Sequence, residues 1–325
     1  MTNFSSVNIR TWSRLGQRGT FFGVAIPEIA KTRDDIRVVT SDLALLSGLD
    51  RFKKVYPDRF LNVGIAEQNM IGVAAGLAKE GNCVFATTYA TFLTMRSFEQ
   101  IRHNMGYQNL PVKAVGSSAG LAMGTSGNTH YAFEDLAVMR AIPNLTVLSP
   151  SDSFEAYKMA FASACVDVPM YIRLTGTLNC PIVYQDDYEF EIGKAITLRN
   201  GTDVTIIACG TMVHTSLEAA KILESAGISA AVINMHTIKP LDKQVIETAC
   251  KETRLIVTVE EHNVIGGLGS AVAEYKSALQ DAPAQLFIGI PDTFCKPGDY
   301  QYLLNHFGLK PEVIAQKIID YFKAK

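Results

Sequence analysis

The sequence predicts an α/β protein: a parallel sheet with helices on both faces, followed by a smaller α/β domain. Three observations carry this. Short β-branched runs alternate with stretches of helical period through most of the 325 residues. A segment with no helical period, residues 175–202, interrupts the alternation. A second alternating series then follows and repeats none of the first. Apolar runs separated by helices are the pattern of strands buried on both faces of a parallel sheet.

In the first series, "IRVVTSDL" (36–43), "NCVFATTY" (82–89), "VKAVGSS" (112–118), "LTVLSP" (145–150) and "PMYIRL" (169–174) read as strands. Helices are expected near 67–80, 92–107 and 152–164. The interrupting segment holds proline, glycine and an acidic run, and reads as a linker with one β-hairpin. The second series places strands at 203–210, 228–235, 255–261 and 285–291, with helices at 213–226, 242–252 and 267–280. The last segment gives two short amphipathic helices broken at Lys310-Pro311. The expected division is a first domain over 1–178, a linker over 179–202 and a second domain over 203–325.

Bulk properties exclude several classes. A formal charge of −2 gives no reason to expect nucleic acid or an anionic membrane as a partner. The six cysteines are scattered without a CxxC pair, as expected of thiols in a reducing compartment. The N-terminal stretch lacks an apolar leader core, and no run approaches the roughly 18–20 apolar residues of a membrane span. A soluble cytoplasmic protein is the expectation.

Chemistry has few candidate locations. "GGLGS" (266–270) opens a helix after a strand; it admits a phosphate cradle or a close helix approach. "GTSGNTHYAFED" (124–135) is a polar loop ending in His130, at a strand end where α/β sheets bind ligands. Phe92, Met95 and Phe98 form one helical stripe, which core packing and a cofactor platform explain equally well. No histidine has the spacing of a metal site, and no nucleophile elbow is present. Glu67 opens "EQNMIGVAAGLA", a helix that runs apolar for nine residues after Asn69. The helix dipole tolerates a carboxylate there. A carboxylate facing a dry site is also suited to a strong hydrogen bond with a ring nitrogen.

"RFLNVGIAEQNMIGVAAGLA" (59–78), "YATFLTMRSFEQIR" (89–102), "GTSGNTHYAFEDLAVMRAIPNLTVLSPSD" (124–152) and "VINMHTIKPLD…LIVTVEEHNVIGGLGSAVAE" (232–274) together closely resemble the C-terminal half of transketolases. The likeness is strongest to the split type, in which two chains replace one. It implies a first domain that binds the aminopyrimidine of thiamine diphosphate and a transketolase C-terminal domain behind it. Glu67 matches the glutamate that hydrogen-bonds the pyrimidine nitrogen and so favours the imine that deprotonates the thiazolium carbon. Phe92, Met95 and Phe98 match the aromatic cluster around that ring, with Met95 replacing an aromatic residue. His130 matches the histidine that contacts donor-sugar oxygens. Arg51 and Arg173 align with two arginines that hold the substrate phosphate, although either also reads as an ordinary surface or ion-paired arginine.

Departures from the family pattern are equally informative. Ser126 stands where the family has an aspartate that reads a substrate hydroxyl, and Ser118 where many members have a histidine near the acceptor. The chain has no GDG motif, which in these enzymes holds the diphosphate through Mg²⁺ together with a downstream asparagine. The resemblance therefore implies a partner chain, an N-terminal transketolase subunit carrying that motif and the Mg²⁺ ligands. A symmetric α2β2 assembly acting on sugar phosphates follows. Deoxyxylulose-phosphate synthases, 2-oxoacid dehydrogenase beta subunits and a non-catalytic regulatory paralogue are the competing expectations.

Overall fold

The computed structural model describes residues 5–324. Among the described residues twelve strands make two sheets: β1 (Ile36–Thr40), β2 (Phe60–Asn62), β3 (Cys83–Tyr89), β4 (Lys113–Ala119), β5 (Thr146–Leu148), β6 (Met170–Thr175), β7 (Ile196–Arg199), β8 (Val204–Ala208), β9 (Ala230–Asn234), β10 (Thr237–Lys239), β11 (Leu255–Asn263) and β12 (Ala284–Ile290). The first sheet has the order β10-β5-β6-β4-β3-β1-β2 and the second β12-β11-β8-β9-β7. All pairings are parallel except β10 with β5 and β7 with β9. Strands β3, β4 and β6 are buried at every position, as runs covered by helices on both faces must be.

Most expected elements are present, with ends moved by at most four residues. Three differences bear on the site. The first is the helix Ser6–Thr20, which the sequence pattern did not announce. Trp12 stacks on Tyr157 of the helix Ser153–Ala164 (4.4 Å, 10°), so this N-terminal helix packs against the sheet's helical layer. Gly16 breaks the helix with φ 71°, and a Cβ there would lie 2.7 Å from the Thr177 carbonyl. Only glycine permits that turn and approach.

The second difference is in 92–107, expected as one helix. It folds as two wide i→i+5 turns, Phe92–Arg96 and Ile101–Tyr107, around the short helix Phe98–Gln100. Such turns rotate residues away from the positions a 3.6-residue period assigns, and they recur at functional sites. The third difference is β10. The second series reaches back and adds this strand to the edge of the first sheet, pairing Thr237 with Leu148. The expected hairpin in 175–202 is a single strand, β7, on the edge of the second sheet. Asp152 fastens the segment before it by accepting from the amides of Val183 (2.8 Å) and Tyr184 (3.1 Å).

Apolar packing crosses between the sheets: Met70, Ala74 and Leu136 belong to the same buried cluster as Ile233, Ile256 and Leu268. A polar seam lies beside it on β11, in Glu260, Glu261 and His262. Glu260 accepts from the Leu268 and Gly269 amides (2.7 and 2.8 Å) at the start of the helix Leu268–Lys276. Burial outweighs these two donors and pushes its carboxyl up to about 7. A folded-state pKa raised in this way contributes stability that is present below the unfolded value and lost as pH rises through about 7. The stability difference between wild type and Glu260→Gln, measured by chemical unfolding, is expected to be larger at pH 5 than at pH 8, by on the order of 2 kcal/mol.

Candidate active site

The candidate residues gather at the C-terminal ends of the first sheet's strands, where parallel sheets open to ligands. Ser41, one residue past β1, fixes the start of the helix Glu67–Lys79. Its Oγ accepts from the Ala66 amide (2.9 Å) and donates to the Gly64 carbonyl (2.8 Å). Glu67 follows immediately and is 6% exposed. Arg96 donates from Nη1 to Glu67 Oε1 (2.7 Å), and its guanidinium lies 3.8 Å from the centre of the Phe92 ring. Phe92 and Arg96 are four residues apart in one helical turn, which sets them on the same side. The corner formed by Glu67 and Phe92 thus already accepts one flat, N–H-bearing cationic group. That is the chemistry of an aminopyrimidine with a proton on its ring nitrogen, so these residues fit such a ring.

His130 closes the other side. Its ring lies 5.1 Å from Phe92 and 5.8 Å from Tyr89, edge to face in both cases. Nδ1 is 2.9 Å from the Thr129 hydroxyl. Ser126 sits on the same loop, exposed, in the short turn Gly124–Ser126. Ser118 lies at the end of β4 with φ 55° and is 7% exposed. Its Oγ accepts from Arg18 Nη1 (2.8 Å). Arg18 comes from the helix that Gly16 breaks, and among the described residues no carboxylate lies within ion-pair distance of it. Burial lowers its pKa, and Tyr89 partly offsets this; burial raises the Tyr89 phenol in turn. A half-buried guanidinium without a counter-ion is a place for an anion.

Other expected residues lie elsewhere. Phe98 is partly buried and packs against the core cluster that contains Met70 and Ile101. Met95 stands 42% exposed, and the side chains that meet the Phe92 ring are Tyr89, His130 and Arg96. Arg51 is exposed on the helix Asp50–Val55. Arg173 is 1% exposed and engages a buried carboxylate and two carbonyls through Nε and Nη2. Nε donates to Asp135 Oδ2 (2.7 Å) and Nη2 to the carbonyls of Ala132 (3.1 Å) and Glu261 (2.9 Å). This is the ion-paired arrangement that the sequence also admits for Arg173. At "GGLGS" a Cβ at Gly267 would lie 2.0 Å from Glu260 Oε2, so a carboxylate fills the space a phosphate would need. Among the described residues no group of three or more histidine, cysteine, aspartate or glutamate side chains could hold a metal ion.

The reading from sequence missed Arg18, Arg96 and Tyr89. Arg96 had a signal, standing one helical turn after Phe92 in the same stretch. Arg18 had none, since only the break at Gly16 brings it to Ser118.

The strand ends of this parallel sheet thus present a buried helix-start carboxylate, an aromatic face and a loop histidine. The family model for the transketolase pyrimidine binding domain matches residues 18–180, and that for the transketolase C-terminal domain matches 193–314. A Methanocaldococcus jannaschii protein described as a transketolase C-terminal section is 40% identical over 304 residues, covering 93% of this chain and 95% of its own. One of the subunits of an apulose-4-phosphate transketolase from Phocaeicola vulgatus is 39% identical over 298 residues, covering 91% and 94%. A solved structure described as a split gene transketolase, inactive beta4 tetramer, superposes with a TM-score of 0.84 at 39% identity, covering 94% and 97%. The chain belongs to the transketolase family.

Arg173→Met is expected to destabilise the chain by about 3–5 kcal/mol in urea unfolding, because it leaves Asp135 buried without its cation. A substrate-binding arginine would instead alter KM and leave the unfolding midpoint in place.

Proposed function

We propose that this chain is the pyrimidine-side subunit of a two-chain, thiamine-diphosphate-dependent transketolase. It would transfer a two-carbon ketol unit from a ketose phosphate to an aldose phosphate. The observation that carries the reading is the corner of Glu67 and Phe92, shaped and charged for a flat protonated ring. Thiamine diphosphate, when bound, supplies the nucleophilic carbon that takes up and passes on the two-carbon unit. Glu67 would hold a proton at the pyrimidine nitrogen, and Phe92 would support the ring face. With His130 Nδ1 engaged by Thr129, Nε2 is left for a donor-sugar oxygen. Arg18 would take the substrate phosphate, with Arg51 as a second cation toward the open side. Ser118 and Ser126, small hydroxyls in place of larger readers, widen the acceptor channel.

The other half of the site would come from a partner chain with a GDG motif and Mg²⁺ ligands. Exposed apolar residues beside Glu67 support an interface there: Leu61 (45%), Ile65 (76%) and Met95 (42%). The split-gene relative described as an inactive beta4 tetramer fits a chain of this type that needs a second one. Two such chains with two partners form the natural closed assembly. The unpaired cysteines suit a reducing compartment, and we place the enzyme in the cytoplasm.

The deciding experiment is reconstitution. The purified chain with thiamine diphosphate and Mg²⁺ is expected to show no ketol transfer, and addition of the GDG-bearing partner to restore it. Activity from the chain alone refutes the subunit reading. In the reconstituted pair, Glu67→Gln is expected to lower kcat by about 10²–10⁴-fold; wild-type turnover refutes the proton-holding role. Arg18→Met is expected to raise KM for phosphorylated sugars by about 10–100-fold, the worth of one charge-assisted contact. KM for the unphosphorylated sugars is expected to stay in place.

A further inference from the structure

The second domain contributes no residue to the site proposed above, yet it grips the loop on which His130 is carried. That loop, residues 121–131, leaves the end of β4 and returns through a narrow neck. Gly120 and Ala132 exchange two backbone hydrogen bonds there (3.1 and 3.2 Å). Immediately inside the neck, the Leu121 amide donates outward to Glu261 Oε1 (2.6 Å). Glu261 belongs to β11 and is 1% exposed. Its other oxygen accepts from the hydroxyls of Thr211 (2.9 Å) and Tyr300 (2.6 Å). The carboxylate is therefore held at one end by the second domain while it holds the loop at the other. The neck is built around it: a Cβ at Gly120 would stand 2.3 Å from Glu261 Oε1. The returning arm is held from the same place, because Arg173 bridges the Ala132 and Glu261 carbonyls.

We propose that Glu261 is a positioning residue for His130, fixing the neck of the 121–131 loop so that the imidazole stays against Phe92. The proposal rests on the reading of His130 as a substrate-contacting group. Its physical basis is leverage. The His130 ring is half-buried and is hydrogen-bonded to its own neighbour, Thr129, so the loop backbone sets its place. The loop has further anchors: Leu121 and Tyr131 are buried in the second domain's apolar cluster, and the Gly124 carbonyl accepts from the Gly298 amide (3.1 Å) and the Tyr131 hydroxyl (2.8 Å). Losing the carboxylate that sets the Leu121 amide shifts the frame on which the largely exposed stretch 125–130 carries the ring. A displacement of about 1 Å at a reacting geometry costs up to about 100-fold in rate.

The test uses the reconstituted two-chain enzyme with Glu261→Ala, Glu261→Asp and Glu261→Gln. The alanine variant removes the grip, and the aspartate variant is one methylene too short to span Leu121 and both hydroxyls. The glutamine variant retains an acceptor for Leu121. Alanine and aspartate are expected to speed amide hydrogen exchange across 121–131 by about tenfold or more with β3 and β4 unchanged. They are expected to lower kcat/KM by about 10–100-fold while the dissociation constant of thiamine diphosphate stays in place. Glutamine is expected to restore most of both. Combined with His130→Ala, Glu261→Ala is expected to cost little more than His130→Ala alone, because it acts through that ring. Unchanged loop exchange in both variants overturns the proposal, as does loss of protection throughout the chain in both, which would make Glu261 a general core residue. Additive losses in the double variant also overturn it. If His130→Ala itself leaves kcat/KM unchanged, the histidine assignment fails, and loop exchange still decides whether Glu261 holds the neck.

Discussion

The buried pair of Arg173 and Asp135 is the contact on which the rest of the molecule depends. Both side chains are at most 1% exposed. Removing two charges from water is costly, and hydrogen bonds to the pair offset part of that cost. Here Nε and Nη2 meet Asp135 and two carbonyls, and the Tyr171 hydroxyl donates to the same carboxylate oxygen (2.6 Å). Asp135 Oδ1 accepts no hydrogen bond among the described residues. Burial opposes the arginine's charge, but Asp135 outweighs it and raises the Arg173 pKa. Burial and Asp135 together raise the Tyr171 phenol. The carbonyls that complete the arginine's shell belong to Ala132, at the neck of the His130 loop, and Glu261, on the second sheet. A charge placed on β6 therefore organises a loop and a neighbouring domain, and it is satisfied only where the three meet.

The same coupling is visible in the backbone and in the apolar core. β10 lies late in the chain yet completes the first sheet, and Ile233, Ile256 and Leu268 share a buried cluster with Met70 and Leu136. The second unit is thus fastened to the first by a strand, by apolar contact and by the polar seam of β11. Its glutamates serve geometry. Glu260 caps a helix whose start would otherwise leave amides unmet, and Glu261 holds a loop neck and two hydroxyls. No group on β11 needs to touch a substrate for the second domain to matter to one.

The fold was legible in the sequence where local pattern and burial agree. "VFATTY" and "VKAVGSS" announce central strands because a strand covered on both faces has no polar side to hide. Glu67 was legible as an anomaly because an apolar helix makes a carboxylate conspicuous. The misses have a common cause, since each depends on which segments approach in space. Nothing local distinguishes Arg173, buried against Asp135, from an arginine that faces a phosphate. The stripe of Phe92, Met95 and Phe98 assumed 3.6 residues per turn. The wide turns at 92–96 and 101–107 change that count, turning Phe92 toward His130 and leaving Met95 at the surface. Arg18 reaches Ser118 only because Gly16 adopts a positive φ.

The position of Glu67 connects these points to function. Its helix is buried through Met70, Ile71, Ala74 and Ala75, so its start is rigid, while the residues just before it and across from it are exposed and apolar. A self-contained site would cover such a carboxylate with its own chain. Here the nearest cover is Arg96, a long side chain about half exposed, which can be displaced at far smaller cost than a packed residue. The chain thus builds one wall of a site to high rigidity, through Ser41, the Arg173–Asp135 pair and the seam on β11. In the function proposed above, the opposite wall comes from a second chain. Rigidity invested around an open face is what precise docking of a second surface requires, because a preorganised wall loses little further entropy when its complement arrives.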